Sequence, residues 1–161
     1  MNVAFLEPGA QHERLRSLTG AWSARIRQFP TPNDPPIETT GEYLARMDLG
    51  GYFLCRDMNF GLQGYQGRGL TGYDVFENAY VGTWVDSTSP LIYRTLGHFD
   101  ERGVYCELTG GPGADGSILR LRMTTEILGT NEMLFQMHHL ADDGAECLVL
   151  EIAHTRRRFI K

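Results

Sequence analysis

Apolar and polar residues alternate along many short segments of this chain. In "ILRLRMTTEI", residues 118–127, Leu119, Leu121 and Met123 alternate with two arginines. Side chains point to opposite faces along a strand, so a period of two predicts a β-strand with one buried face. Glycine, asparagine or aspartate separates the segments, as is typical of hairpin turns. The segment "EPGAQHERLRSL", residues 7–18, instead predicts a helix, with a proline suited to its first turn.

The order of these segments favours one all-β domain over residues 1–161. Hairpin turns are predicted at Gly50 and Gly51, between Tyr73 and Tyr80, at Glu101 with Arg102, and in "EILGTNEM" and "LADDGAE". Many short strands with regular turns are typical of sandwiches and barrels. We therefore predict a single antiparallel, lipocalin-like β-barrel of about ten strands, with the short N-terminal helix closing one end.

The strand registers predict which side chains face the barrel interior. The predicted inner face comprises Tyr52, Leu54, Arg56, Met58, Gly67, Gly69, Thr71, Tyr73, Gly82, Trp84, Asp86, Tyr93, Thr95, Gly97, Phe99, Val104, Cys106, Leu108, Leu119, Leu121, Met123, Met133, Phe135, Met137, His139, Cys147, Val149, Glu151 and Ala153. On the last strand, Leu148, Leu150 and Ile152 would then face outward. An exposed apolar stripe of that kind indicates a homodimer contact.

The predicted inner face combines glycines with ionisable residues. An inward glycine leaves space that neighbouring side chains fill or leave open. Buried ions need partners, because removing an unpaired charge from water costs several kcal/mol. In "YVGTWVDSTS", residues 80–89, Gly82 would make room, Trp84 would form a wall and Asp86 would need a partner or a ligand. Barrels of this size hold one small ligand, so we predict a partly open interior.

The predicted function is the binding of a small, largely apolar molecule inside this barrel, with one polar anchor. The predicted ligand-binding residues are Tyr52, Arg56, Tyr73, Trp84, Asp86, Tyr93, Phe135, His139 and Glu151. Structural roles remain open for several of them. Asp86 could instead cap the turn "DSTSP", Glu151 could form a buried salt bridge with an arginine, and His139 could be a core histidine.

Two alternative functions use the same barrel. In the first, the protein is an isomerase or cyclase acting on a hydrophobic metabolite, and Glu151 or His139 is the catalytic residue that moves a proton. In the second, the protein is a structural or interaction protein that dimerises through its last strand. The pattern does not decide between an enzyme and a binding protein.

Charge, hydropathy and cysteine spacing limit the classes of partner and the cellular compartments that we expect for this protein. The formal net charge of −5 argues against nucleic-acid binding, which needs a basic face. The chain contains no apolar run near the ~20 residues of a membrane span and no signal-peptide pattern at its start. Its three cysteines are widely spaced, which favours reduced thiols and a cytoplasmic location. We expect no metal site, since adjacent His138 and His139 point to opposite faces.

Several motifs resemble known barrel families. "LTGAW" at residues 18–22 is similar to the Gly-x-Trp opening of lipocalin-type barrels, in which an arginine of the last strand packs on the tryptophan. That resemblance implies packing of Arg156 or Arg157 on Trp22. More closely, "HERLRSLTGAW", "LGGYFL", "GRGLTGYD", "YVGTWVDS" and "LEIAHTRRRF" together resemble a bacterial family known as domain of unknown function 1579. The family implies the barrel fold and no agreed reaction.

The chain departs from these families at two places. His154 stands where the family ending "E-x-x-Y-T-R" has a tyrosine. The general layout also resembles the haem-binding nitrobindin barrels, whose Gly-x-Trp-x-Gly-x-Gly opening is here "GAWSARI" without the later glycines. We therefore expect no cofactor, with haem kept as the alternative.

Overall fold

The structure, a computed structural model, describes residues 7–61, 64–113 and 115–158. A single α-helix precedes ten β-strands in this part of the chain, and a short 3-10 turn at Leu49–Gly51 joins the second and third strands. The elements are α1 (Ala10–Arg16), β1 (Gly20–Gln28), β2 (Ile37–Asp48), β3 (Phe53–Phe60), β4 (Tyr65–Asp74), β5 (Ala79–Asp86), β6 (Ser89–Phe99), β7 (Tyr105–Pro112), β8 (Ile118–Gly129), β9 (Glu132–Leu140) and β10 (Glu146–Arg156).

The strands form a closed barrel. Each strand pairs antiparallel with its neighbours in sequence, and β1 pairs with β10 to complete the ring. The prediction of an all-β, ten-stranded antiparallel barrel with a short N-terminal helix is confirmed. Because the described strands pair around the whole ring, the barrel has no open sheet edge. The backbone N–H and C=O groups of the strands therefore find partners within the ring, and edge-to-edge aggregation is prevented.

The helix end of the barrel is sealed. Trp22 is fully buried, and the Arg156 guanidinium lies 4.2 Å from the centroid of its ring, a cation–π contact. Arg156 also donates a hydrogen bond from Nε to the carbonyl oxygen of Thr130. Gly20 permits this packing, because a Cβ there would lie 2.5 Å from the arginine. Arg157 instead pairs with Glu42 on the outside.

The hydrophobic core has two clusters along the barrel axis. The first lies under α1 and consists of buried Leu15, Leu18, Ala45, Leu54, Tyr80 and Tyr105. The second lies further along and consists of Ala24, Ile26, Met58 and Ile152, with Trp84 and Phe135 packed against it. Tyr43 contacts both clusters. Burying these side chains stabilises the barrel by roughly 1.5–3 kcal/mol for each large residue.

The predicted inner faces are confirmed on β3, β4, β5, β6, β8 and β9, but the prediction for β7 is wrong by one residue. Phe99 pairs with Tyr105, and Gly97 pairs with Glu107. Residues 100–104 make a longer connection than the predicted two-residue turn, because the Asp100 carboxylate accepts hydrogen bonds from two backbone N–H groups within it. The inner face of β7 is therefore Tyr105, Glu107 and Thr109, and the predicted set of Val104, Cys106 and Leu108 is incorrect.

The prediction for β10 is wrong beyond its first residues. A β-bulge between Leu148 and Leu150 shifts the register, so that Leu150 pairs with Met137 and Ile152 pairs with Phe135. One extra residue exchanges the two faces of a strand. Ile152 is only 2% exposed, and the predicted outward apolar stripe for a homodimer does not form on β10. Glu151 and Ala153 lie on the outer face, where the prediction placed them inside.

Candidate functional site in the barrel interior

Solvent exposure of the inward side chains changes along the barrel axis. In the half nearest α1, inward residues such as Leu54, Tyr80 and Tyr105 are almost completely buried. Toward the opposite end, the inward residues become half-buried. This second set, which we call the open half, comprises Phe60, Tyr65, Trp84, Asp86, Leu91, Tyr93, Thr109, Gly111, Leu119, Leu121, Met137, His139 and Cys147. Inside a closed barrel such exposure means that solvent reaches these side chains from the open end.

Trp84 forms one wall of the open half. Its indole lies across Gly67 and Gly69 of the neighbouring strand, and a Cβ at Gly69 would be 2.8 Å from indole Cε3. The same principle applies at Gly97, where a Cβ would meet the Tyr105 ring. These inward glycines therefore make room for aromatic rings of the protein itself. The indole of Trp84 therefore fills the space that Gly67 and Gly69 leave on the inner face.

A buried ion pair lies beneath Trp84. Arg56 donates to Glu107 through two nitrogens, with N···O distances of 3.0 and 3.2 Å, and also donates to the Thr71 hydroxyl at 2.9 Å. Arg56 is 8% exposed and Glu107 is 2% exposed. Burial by itself would lower the pKa of Arg56, but Glu107, together with Tyr43 and Tyr105, outweighs that effect and raises it. Arg56 thus stays charged, and Glu107 is the acidic side chain that faces it.

Tyrosines surround the ion pair as neutral groups. Burial raises the pKa of Tyr43 to about 12 despite the nearby Arg56. Burial likewise raises the pKa of Tyr105, and Glu107 adds to the rise. The Tyr105 hydroxyl donates to Glu107 at 3.5 Å. Both phenols therefore remain protonated at physiological pH and contribute no charge to the interior.

A polar chain lies at the rim of the open half. The Trp84 indole N–H donates to the Tyr65 hydroxyl at 3.2 Å, and that hydroxyl donates to Oδ2 of Asp86 at 3.4 Å. Burial raises the pKa of Tyr65 to about 12, which keeps it a donor. The other carboxylate oxygen, Oδ1, accepts from the backbone N–H of Thr88. Asp86 thus caps its turn, as the structural interpretation predicts, while its second oxygen faces the aromatic rim.

The inward histidines occupy different environments. His139 is half-buried in the open half, opposite Leu121 and Cys147. His154 is 4% exposed, with its ring 5.0 Å from Tyr43 and 6.3 Å from Trp22. Burial lowers the pKa of His154 to about 4, and the backbone of Met133 and Ile152 offsets only part of the effect. Within the described residues, neither ring nitrogen of His154 has a hydrogen bond of good geometry.

The structure brings together six of the nine predicted ligand-binding residues. Trp84, Asp86, Tyr93 and His139 line the open half, Phe135 packs beside them, and Arg56 lies beneath them. The remaining three lie elsewhere. Tyr52 packs on His12 of α1, and Tyr73 packs on Tyr80 at the sealed end. Glu151 is outside the barrel, where it accepts hydrogen bonds from Arg27 and Gln136, both at 2.9 Å.

Two interior residues, Glu107 and Tyr65, are not among the residues predicted from the sequence. The predicted inward set Val104, Cys106 and Leu108 would put Glu107 on the outer face of β7, one residue out of register. The sequence around Glu107 is compatible with two registers. A two-residue turn at residues 101 and 102 places Cys106 and Leu108 inside, whereas the longer connection over residues 100–104 places Glu107 inside. Tyr65 was not recognised because it begins its strand directly after a loop, where alternation is too short to assign a face.

The arrangement offers little for metal or haem binding. In the described ranges, no group of three or more His, Cys, Asp or Glu side chains is arranged to hold a metal ion. A haem iron would need an inward histidine beside space that a ligand can enter. His139 meets that condition, whereas His154 is enclosed between aromatic rings. The residues present therefore supply one candidate axial ligand and no second feature specific for haem.

The fold defines the protein as a calycin-like β-barrel. The chain belongs to the family described as protein of unknown function (DUF1579), whose family model matches residues 7–156, so the resemblance seen in the sequence is confirmed. No curated protein matches the chain. Among solved structures, the crystal structure of Rv2717c from M. tuberculosis is similar, with a TM-score of 0.64 over 94% of this chain and 100% of that chain. The sequence identity is 18%, so this likeness shows the fold alone.

Within the described ranges, no helix has the length and apolar character needed to cross a bilayer.

Proposed function

We propose that the open half of the barrel binds a small, largely apolar molecule. The observation that carries this proposal is the gradient of burial along the axis. Most inward side chains near α1, such as Leu54, Tyr80 and Tyr105, are almost completely buried, whereas those at the other end are half-buried, although both sets face the interior of a closed barrel. A concave interior that solvent can enter, lined by aromatic and aliphatic groups with few polar atoms, is the usual form of a small-molecule site.

The chemistry of the lining supports an apolar ligand. Trp84, Tyr93 and Phe60 present ring surfaces, while Leu121 and Met137 present flexible aliphatic and thioether surfaces. A groove of about 390 Å³ at the rim continues this surface. It is lined by Gln28, Phe29, Pro30, Ile37, Met137, Val149 and Leu150. Removing these surfaces from water favours binding by about 25 cal/mol for each Å² buried.

The compartment is part of the same proposal. Cys55, Cys106 and Cys147 are all unpaired, which fits a reducing environment such as the cytoplasm.

An enzymatic role finds less support, because Glu151, one of the two groups considered for proton transfer, lies on the outer face beside Arg27. We therefore favour binding over catalysis.

Two measurements test the proposal. A native mass spectrum of the freshly purified protein, compared with its denatured mass, would reveal a ligand that unfolding releases. A titration with the neutral fluorescent dye Nile red would measure directly the affinity of the barrel interior for an apolar molecule. The key variant is Leu121→Trp, which adds bulk to an inward, half-buried position of β8. Its matched control is Arg120→Trp, one residue earlier, which adds the same ring to the outer face.

We expect Nile red to bind the wild type and the Arg120→Trp variant with similar affinity. We expect Leu121→Trp to weaken binding by about tenfold or more, since the added ring occupies the space the dye needs. Circular dichroism would confirm that both variants keep the barrel. Equal affinity for all three proteins, or no binding by the wild type, would contradict a binding site in the open half.

A further inference from the structure

We infer that the ligand of the open half carries a positive charge, as an alkyl- or arylammonium group, and that Asp86 binds this charge. The inference rests on the proposed function and specifies the chemical class of the ligand. It follows from the charge balance of the inner face and from the side chains around one carboxylate.

Among the described residues, two inward charges, Arg156 and Asp86, have no ionic partner, and they lie at opposite ends of the barrel. Arg56 and Glu107 neutralise each other through a two-point ion pair. Arg156 is inward-facing at the sealed end, where it packs on Trp22. The remaining inward carboxylate is Asp86, and no arginine, lysine or histidine nitrogen lies within 4.0 Å of it among residues 7–61, 64–113 and 115–158. Asp86 therefore places an unpaired carboxylate at the entrance to the open half.

The surroundings of Asp86 favour a cation over other ligands. Its Oδ2 atom receives one long hydrogen bond, of 3.4 Å, from Tyr65, so it retains capacity to accept another donor. The Tyr65 ring stacks on Phe60 with centroids 4.2 Å apart, and the indole of Trp84 donates to the Tyr65 hydroxyl. Aromatic faces attract cations, and a carboxylate beside them adds a charge-assisted hydrogen bond.

An anionic ligand would find no equivalent partner. The guanidinium of Arg56 lies deeper than Asp86 and already donates to Glu107 and Thr71. A carboxylate or phosphate entering the open half would have to approach Asp86 with no arginine or lysine among the open-half side chains to offset the repulsion. A neutral molecule would bind through its apolar surface alone. For ligands that share the same apolar part, these differences predict that the cation binds most tightly, the neutral molecule less tightly and the anion most weakly.

A matched ligand series tests this order. Octylammonium, 1-octanol and octanoate share an eight-carbon chain and differ in charge at pH 7. Each would be titrated against the protein with bound Nile red, and its dissociation constant obtained from dye displacement. We expect octylammonium to bind about tenfold more tightly than 1-octanol, the scale of one charge-assisted hydrogen bond, and octanoate to bind most weakly. The advantage of octylammonium should shrink as salt is added.

Asp86→Asn isolates the role of the carboxylate. The asparagine amide oxygen can still accept the hydrogen bond from the Thr88 backbone, so the turn is retained. The control is Asp115→Asn, because Asp115 makes the same contact with the Ser117 backbone in a loop at the same end of the barrel. We expect Asp86→Asn to weaken octylammonium binding about tenfold and to leave 1-octanol unchanged, and Asp115→Asn to affect neither.

The outcomes separate this inference from the proposed function. If Nile red does not bind the wild type, the binding function and the inference both fail. If Nile red and 1-octanol bind but octanoate equals octylammonium, the binding function stands and the inferred charge is wrong. The inference also fails if Asp86→Asn weakens 1-octanol as much as octylammonium, or if Asp115→Asn reproduces its effect.

Discussion

Removing the carboxylate of Glu107 tests how completely the interior ion pair is withdrawn from water. Glu107→Gln keeps the size of the side chain and an oxygen that can accept one hydrogen bond, but it removes the negative charge. Arg56, which is 8% exposed, is then left without its ionic partner. Within the described residues, Glu107 is the only acid within 4.0 Å of that guanidinium. The cost of the substitution is therefore that of an unpaired buried charge.

The expected loss follows from this burial. Breaking a buried ion pair from one side costs about 3–5 kcal/mol of unfolding free energy. For a chain of this size, about 1 kcal/mol corresponds to roughly 2–4 °C in Tm, so the loss corresponds to roughly 6–20 °C. Replacing both ions, as Arg56→Met with Glu107→Leu, removes the unpaired charge and should recover most of the loss. Glu77→Gln is the control, since Glu77 accepts from Nη2 of Arg94 through both carboxylate oxygens and the two side chains are 46% and 52% exposed.

Urea unfolding followed by far-UV circular dichroism at pH 7 measures these differences. We expect Glu77→Gln to cost less than about 1 kcal/mol, as exposed pairs do. A loss below about 1 kcal/mol for Glu107→Gln, equal to that of the control, would refute the argument that the pair is desolvated. A double variant as unstable as Glu107→Gln would refute the argument that the unpaired guanidinium causes the loss.

Three further predictions concern the inner face. Because burial lowers the pKa of His154 from 6.5 to about 4, the unfolded chain takes up this proton first, and the free energy of unfolding should fall by roughly 3 kcal/mol as the pH falls from about 6.5 to about 4. Urea unfolding at pH 7, 5.5 and 4.5 checks this, and an unchanged pH dependence in His154→Phe would contradict it. Ile152→Ala should cost about 2–4 kcal/mol and Glu151→Ala less than about 1 kcal/mol in the same assay, with the reverse order refuting the β10 register. Gly67→Ala should displace the Trp84 ring and cost about 1–3 kcal/mol, and an unchanged tryptophan emission spectrum would count against that packing.

Alternation along the sequence predicted the strands and most of their inner faces, because a residue on the wrong face of a half-buried strand is costly. Leu119, Leu121 and Met123 could be assigned in this way, since charged residues separate them. Alternation does not determine the register of β7, because the Asp100 side chain sets the length of the preceding turn. The Asp100 carboxylate holds a longer connection by accepting from backbone N–H groups, and the same residues are compatible with a two-residue turn.

The error on β10 has a different physical origin. Leu148, Val149 and Leu150 are consecutive apolar residues, so the pattern there does not distinguish one register from another. The structure inserts a bulge at this point, which places His154 inside the barrel and Glu151 outside. The candidate site was therefore predicted where alternation was unambiguous, at Trp84 and Asp86. It was missed at Glu107, where a neighbouring turn fixed the register.

The pairing of β1 with β10 has a consequence for how the chain folds. All other strand pairs join neighbours in sequence, which need only short loops to close. The pair Trp22 and Arg156 instead spans nearly the whole chain. A contact of such high sequence separation carries a large loop-closure entropy and slows folding. We therefore expect the hairpins from β2 to β10 to assemble progressively during synthesis, while the ring closes only after β10 has emerged from the ribosome.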